Sequence, residues 1–155
     1  MKIITILIFI ISNTVYAKDY IYEVGGQNET KKDNIIIYPN GKKFIVINGE
    51  YAAWKDNKGD YGKERCVGYV MIDIDQSTSA HIRCISINQS GEKFWTTRDR
   101  KSAVADGGGG INTYVAGTGK YEQMVGLKCP YGVKFHEDIV WLSLIHISEP
   151  TRRTI

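Results

Sequence analysis

The chain lacks a large excess of charge of either sign. Its 155 residues include 20 lysines and arginines against 17 aspartates and glutamates. The lysines are scattered, mostly beside expected turns, and no row of basic residues is interleaved with stacking aromatics. Nucleic-acid binding domains usually show such a basic row. The length of 155 residues allows a single domain at most. The scattered lysines predict that the protein has no nucleic-acid partner.

Motifs for metal, nucleotide or nucleophilic chemistry are also missing. The sequence contains no Cys-x-x-Cys, no His-Glu-x-x-His and no Gly-x-Ser-x-Gly. Near Gly119-Lys120, Tyr114 and Tyr121 occupy the positions where a phosphate-binding loop needs Gly and Ser or Thr. The run from Asp73 to Ser77 lacks the central Gly and closing Glu of a calcium loop. We predict no metal and no cofactor, we interpret His81 and His136 as surface histidines, and catalytic residues stay unknown.

The first 17 residues follow the pattern of a secretory signal peptide. Lys2 precedes an apolar run from Ile3 to Ile11, and Val15-Tyr16-Ala17 offers small residues at the cleavage positions. The apolar run is about nine residues, well short of the roughly 20 that a spanning helix needs. We expect cleavage after Ala17, a secreted or periplasmic protein, and no membrane span in the mature chain.

The last 14 residues do not resemble the rest of the chain. Leu142 to Arg152 reads LSLIHISEPTR, which matches the translation of an adaptor used to prepare sequencing libraries. Adaptor-derived sequence has to be set aside before the fold is considered. We expect residues 18–141 to form the native domain, truncated at its last strand, and residues 142–155 to be a foreign tail.

The three cysteines are Cys66, Cys84 and Cys129. An exported protein enters an oxidising compartment, where disulfides persist. We favour a Cys66–Cys84 disulfide, although spacing alone does not determine connectivity. Cys129 would then have its partner beyond Trp141, or would be a free reactive thiol.

Strand signals dominate the chain, and no long stretch has the 3.6-residue period of a helix. We predict strands over 20–24, 34–38, 43–51, 65–74, 81–88, 93–98, 111–116, 121–129 and 133–141. A polar loop is expected over Ala52 to Gly62, a helical turn over Arg98 to Ala105, and glycine corners over Asp106 to Gly110. Short strands at 8–12-residue spacing indicate an all-β protein, an antiparallel up-and-down barrel of about eight strands.

Aromatic side chains are numerous enough to fill or cap the lumen of such a barrel. A barrel of about eight strands can hold one small ligand. As the residues that line a ligand cavity we select Tyr69, Met71, Trp95 and Tyr114.

The segment Gly117-Thr118-Gly119-Lys120-Tyr121, with Gly126 five residues later, resembles the G-T-G-x-Y-x-x-x-x-G signature of allene oxide cyclase-like and dirigent-like barrels. In those families the signature is a tight hairpin between late strands of an eight-stranded barrel. The chain also resembles small exported bacterial proteins in which Gly-x-Lys-Cys follows, here Gly126 to Cys129. The resemblance covers roughly Gly107 to Tyr131. It implies the barrel and transfers no catalytic residue.

Three classes of function are compatible with these features. We favour an exported barrel that binds a small apolar ligand or serves as an accessory envelope protein. The alternatives are an isomerase or cyclase with its site in the lumen, and a protein-interaction module, with an oligomer left open. A carboxylate or His beside aromatics in a pocket would favour the enzyme, and an exposed apolar patch would favour the interaction module.

Overall fold

The computed structural model describes residues 20–27, 34–49, 52–103, 107–136 and 139–146. The predicted signal peptide and the end of the predicted tail lie outside the described residues. Ten strands are present within these ranges: β1 Tyr20–Gln27, β2 Ile35–Ile37, β3 Lys43–Asn48, β4 Ala52–Asp56, β5 Tyr61–Ile72, β6 Thr78–Asn88, β7 Lys93–Ser102, β8 Gly107–Gly117, β9 Lys128–His136 and β10 Ile139–His146. A 3-10 helix, Gly119–Met124, connects β8 to β9. Within the same ranges, no helix is long and apolar enough to cross a membrane.

Eight strands close into an antiparallel barrel. The order around it is β1-β4-β5-β6-β7-β8-β9-β10, and β10 pairs back onto β1. From β4 onward each strand pairs with the next along the chain, as an up-and-down barrel requires. The predicted fold class is confirmed.

The remaining strands, β2 and β3, form a hairpin attached to the side of the barrel. The first part of β5 pairs with β4 through Tyr61 to Glu64, and its second part pairs with β3 through Val67 to Ile72. Gly68 lies in this second part, where a Cβ atom would stand 2.2 Å from the carbonyl oxygen of His81. The absence of a side chain therefore lets β5 and β6 approach closely.

Four of the expected local structures are wrong, each for a visible reason. The polar loop over 52–62 is mostly strand, because a tight turn over 57–60 is closed by Asp56, whose carboxylate accepts the amides of Lys58 and Asp60 at 2.9 and 2.8 Å. The helical turn after Arg98 is the continuation of β7, whose Arg98 and Arg100 side chains are buried. The glycine corner is the start of β8, where only Gly108 has a positive φ, +134°.

The fourth correction concerns the strand predicted over 121–129. Gly119 adopts a φ of +56°, and the chain winds into the 3-10 helix before β9 begins at Lys128. The connection from β8 to β9 is therefore wider than the tight hairpin that the family resemblance implies. The strand predicted over 133–141 is divided between β9 and β10, with residues 137–138 outside the description.

Strand β10 includes the first residues of the segment that we expect to be foreign. Leu142 and Leu144 are buried, and β10 pairs with both β1 and β9. The structure thus forms a closing strand where a missing one was expected. That residues 142–155 are adaptor-derived stays a prediction.

Candidate functional site

One end of the barrel lumen is filled by aromatic rings. Alternation along each strand directs every second side chain inward, and at this end the inward residues are mostly aromatic. Phe94 is central, with ring centroids at 4.7 to 5.8 Å from those of Tyr22, Trp54, Tyr114 and Tyr121. Tyr121 enters from the 3-10 helix and is 2% exposed. This end is closed, and we call it the aromatic plug.

Above the aromatic plug, a buried ion pair crosses the lumen. Arg98 on β7 donates to both carboxylate oxygens of Glu64 on β5, at 2.7 Å for Nη1 to Oε1. The Glu64 and Arg98 side chains are only 1% and 5% exposed. Two parallel N–H donors match the two oxygens of a carboxylate, so the pair is fixed in orientation as well as in place.

Further donors and acceptors complete this layer. Tyr22 donates its hydroxyl hydrogen to Glu64 Oε2 at 2.8 Å, and Ser86 donates to the same oxygen at 2.9 Å. Arg98 Nε donates to the Asn112 amide oxygen at 3.0 Å. We call Tyr22, Glu64, Ser86, Arg98 and Asn112 the polar layer.

Electrostatics keep the Arg98 guanidinium charged. Burial by itself disfavours a charged guanidinium, but the adjacent Glu64 carboxylate outweighs it and raises the pKa of Arg98. Burial, reinforced by the Glu64 charge, raises the pKa of Tyr22 well above its usual value. Tyr22 is therefore a neutral donor at every physiological pH.

The expected disulfide lies next to the polar layer. Cys66 and Cys84 face each other across β5 and β6 and are bonded. The prediction for this pair is confirmed. The Glu64 carboxylate and the two sulfurs lie within 4.8 Å of one another. In this state they form no metal site, because the sulfurs are bonded to each other and the carboxylate is held by Arg98.

A cavity of about 140 Å³, partly open to solvent, lies on the other side of the polar layer. Its wall is mostly aliphatic, and its charged members are Glu64, Arg98 and Arg100. The other lining residues are Val24, Ile47, Gly49, Ala52, Cys66, Val70, Ala80, Ile82, Tyr131, Val133, Val140 and Leu142. We call this space the lumen cavity.

The glycine run at the start of β8 shapes the wall near the lumen cavity. A Cβ atom on Gly110 would stand 2.7 Å from the Tyr131 ring and 2.4 Å from the carbonyl oxygen of Asp99. Arg100 Nη1 donates to the carbonyl oxygen of Gly107 at 2.8 Å. Because these glycines have no side chains, the Tyr131 ring can pack against the backbone of Gly110 and the Arg100 guanidinium can reach the carbonyl of Gly107.

The four residues selected as cavity lining do not share one face. Tyr114 is inside, 1% exposed, but it belongs to the aromatic plug and not to the lumen cavity. Tyr69 and Met71 lie on the outer face, where Tyr69 stacks on Phe44 with centroids 5.3 Å apart and Met71 is 47% exposed. Trp95 alternates with the buried Phe94 and Thr96, so it also belongs to the outer face. The expectation that all four residues face the lumen is therefore corrected for Tyr69, Met71 and Trp95, whose positions in the alternation put them on the outer face.

His81, Asp73 and Asp75 lie away from the lumen, whereas Cys129 belongs to the buried core. His81 is on the outer face, with its Nδ1 2.8 Å from the Asp99 carboxylate. The His136 side chain is outside the described residues. Asp73 binds Lys42 at 3.1 Å, and Asp75 accepts the amide of Ser77 at 2.9 Å, as in a solvated hairpin end. Cys129 is a free thiol with no exposed surface, and burial raises its pKa to about 11.

The sequence reasoning missed Glu64, Arg98 and Arg100. A signal was present, because Phe94, Thr96, Arg98 and Arg100 alternate along one strand and the first of them is a core phenylalanine. Reading that alternation through to Ser102 would have placed both arginines inside the barrel.

The comparisons with known proteins add no relative. No protein-family model matches the chain, and neither a curated protein nor a solved structure matches it significantly.

Proposed function

We propose that the chain is an exported barrel protein that holds one small, mostly apolar ligand in the lumen cavity. The observation that carries the proposal is the division of the lumen into three layers: a closed aromatic plug, a buried polar layer, and an aliphatic cavity of about 140 Å³. A packed structural barrel would fill its lumen throughout, because protein interiors seldom leave voids larger than a water molecule.

The size and lining of the lumen cavity limit the ligand. Dry cavities of about 150 Å³ lined by aliphatic residues accept benzene or xenon. Here the aliphatic wall favours an apolar body, and the wall formed by Glu64, Arg98 and Arg100 favours one polar substituent. The ligand class is therefore a small ring or short chain with a single hydrogen-bonding group.

Export is part of the same proposal. The Cys66–Cys84 disulfide is compatible with an oxidising compartment. The predicted leader peptide points in the same direction.

Methyl-detected NMR titration with benzene and phenol tests the proposal. We expect shifts at Val24, Val70 and Val133, whose side chains line the lumen cavity. Ala80→Leu should abolish them, because Ala80 is 2% exposed and its Cβ faces the same space. The matched control, Ala116→Leu, adds the same side chain at an exposed position of β8 and should leave binding intact. Absence of shifts, or equal binding by both variants, would contradict the proposal.

A second candidate function is an isomerase or cyclase. The observation that favours it is a carboxylate, Glu64, in the cavity wall beside Tyr131. Against it, the Glu64 carboxylate already accepts hydrogen bonds from Tyr22, Ser86 and Arg98, so both of its oxygens are engaged within the protein. Incubating a ligand recovered from the purified protein separates the two functions: conversion by the wild type but not by Glu64→Gln would establish the enzyme.

A further inference from the structure

A second concave surface lies outside the barrel, at the end where β5, β6 and β7 meet the hairpin formed by β2 and β3. Its volume is about 710 Å³, within the roughly 300–1,000 Å³ range of small-molecule sites. The lining residues are Tyr38, Asn40, Lys42, Lys43, Phe44, Met71, Ile72, Asp73, Ser77, Thr78, Ser79, Lys101, Ser102 and Ala103. We call it the hairpin groove. It shares no lining residue with the lumen cavity.

The hairpin groove presents apolar surface to water. Tyr38 and Met71 are 48% and 47% exposed, and Phe44 stacks on Tyr69. Outside the groove lining, Tyr69 extends the row of rings to His81, with the two ring centroids 5.2 Å apart. An aromatic surface of this kind can receive the flat C–H face of a sugar ring through apolar contact.

The same groove carries a positive charge. Three lysines line it against one carboxylate, and Lys42 already binds that carboxylate, Asp73, at 3.1 Å. Neither Lys43 nor Lys101 has a carboxylate partner in the part of the chain that the structure describes. Asn40, Ser77 and Ser79 add amide and hydroxyl groups suited to hydrogen bonds with ring hydroxyls.

We propose that the hairpin groove is a binding site for an acidic saccharide, a chain of sugar rings that carry carboxylates. The ring faces would lie against Tyr38 and Met71, and the carboxylates would meet Lys43 and Lys101. The groove combines an aromatic surface, hydroxyl-bearing side chains and unpaired lysines. This combination favours an acidic saccharide over a neutral sugar, which carries no charge to pair with the lysines. It also disfavours a bare polyanion, which has no apolar face to pack against the aromatic surface.

Isothermal titration of the intact chain with three probes tests the inference. The probes are hexagalacturonate, which has rings and carboxylates, maltohexaose, which has rings alone, and inorganic polyphosphate, which has charge alone. We expect hexagalacturonate to bind at least about tenfold more tightly than either of the others. Equal binding of polyphosphate would reduce the groove to a simple basic patch, and absence of hexagalacturonate binding would overturn the inference outright.

Two variants separate the contributions. The double variant Lys43→Glu and Lys101→Glu should weaken hexagalacturonate binding by about tenfold or more, and Tyr38→Ala should weaken hexagalacturonate without changing polyphosphate. Lys128→Glu is the charge control, because Lys128 is exposed on β9 and outside the groove. If Lys128→Glu weakens binding as much as the groove variant, the site is not the hairpin groove. None of these residues lines the lumen cavity, so benzene binding should be unchanged throughout.

Discussion

Glu64 is the residue on which the lumen depends most. Its carboxylate lies between Arg98, Tyr22 and Ser86, and almost none of it reaches water. A buried ion pair adds little net stability by comparison with apolar residues of equal volume, but removing one partner leaves the other charge unpaired. The pair therefore acts mainly to fix the geometry of the polar layer.

Glu64→Gln should reduce the free energy of unfolding by about 3 kcal/mol or more, because Arg98 would keep its charge without a counterion. Urea denaturation measures this value. Glu23→Gln is the matched control: Glu23 also pairs with a cation, Lys55 at 3.2 Å, but both side chains are exposed. That change should reduce stability by less than about 1 kcal/mol. Comparable losses for the two variants would contradict the account of the polar layer.

Cys129 should be chemically silent in the folded protein. Its thiol has no exposed surface, and its pKa is raised to about 11, so little thiolate exists at pH 8. Ellman's reagent should detect no thiol in the native oxidised protein and one thiol after denaturation. Rapid reaction in the native state would restore the alternative of a reactive thiol.

At the scale of elements, the glycines of β8 decide whether the barrel wall closes. Gly110 lies against the Tyr131 ring and the Asp99 carbonyl, whereas Gly132 on β9, which pairs with Gly109, has open space where a Cβ would be. The two glycines occupy similar strand positions but differ in surroundings.

Gly110→Ala should destabilise the protein by about 1–3 kcal/mol, because the added methyl group has to displace backbone or the Tyr131 ring. Gly132→Ala should be neutral or slightly stabilising, since glycine weakens a strand and the added methyl group meets no neighbouring atom. Thermal denaturation of both variants checks the pair. Equal melting temperatures would show that the close approach at Gly110 does not matter.

The 3-10 helix is fastened to the barrel by a second polar cluster. Asp60 accepts hydrogen bonds from Lys120, Gln89 and the Tyr121 hydroxyl. Burial alone would raise the pKa of Asp60, but these donors outweigh it and lower the pKa. The carboxylate thus stabilises the fold fully above its unfolded pKa of about 3.9, and this contribution is lost as the pH falls through the lower folded pKa.

Asp60→Asn should therefore be less stable than the wild type at pH 6. The difference should shrink as the pH falls below about 4. Denaturant unfolding at a series of pH values measures it. A difference that stays constant with pH would mean that the Asp60 charge contributes nothing.

Alternation predicted much of the fold at this scale, and local turn chemistry accounts for the failures. The strands that became β5, β6 and β7 were evident from their period of two, and the register of β5 and β6 places Cys66 opposite Cys84. The turn closed by Asp56 and the positive φ of Gly119 were not evident, because each depends on one residue's conformation. The Glu64–Arg98 pair could not be predicted, since the residues are 34 positions apart on strands separated by β6.

At the scale of the whole molecule, the inside and outside of the barrel offer different chemistry. The lumen is stratified into plug, polar layer and cavity, and the outer face carries the hairpin groove. The sequence predicted a barrel with an aromatic interior and room for a ligand, but it assigned three of four lining residues to the wrong face. That error followed from choosing residues by type when the strand period determines the side.

A crystal structure under xenon pressure is the sharpest test of the lumen cavity, because xenon enters apolar cavities and is located by its anomalous scattering. We expect one strong xenon site between Val70, Ala80 and Val133, beyond the Glu64–Arg98 pair, and none among the rings around Phe94. A lumen without xenon, or filled by ordered side chains at that position, would contradict it.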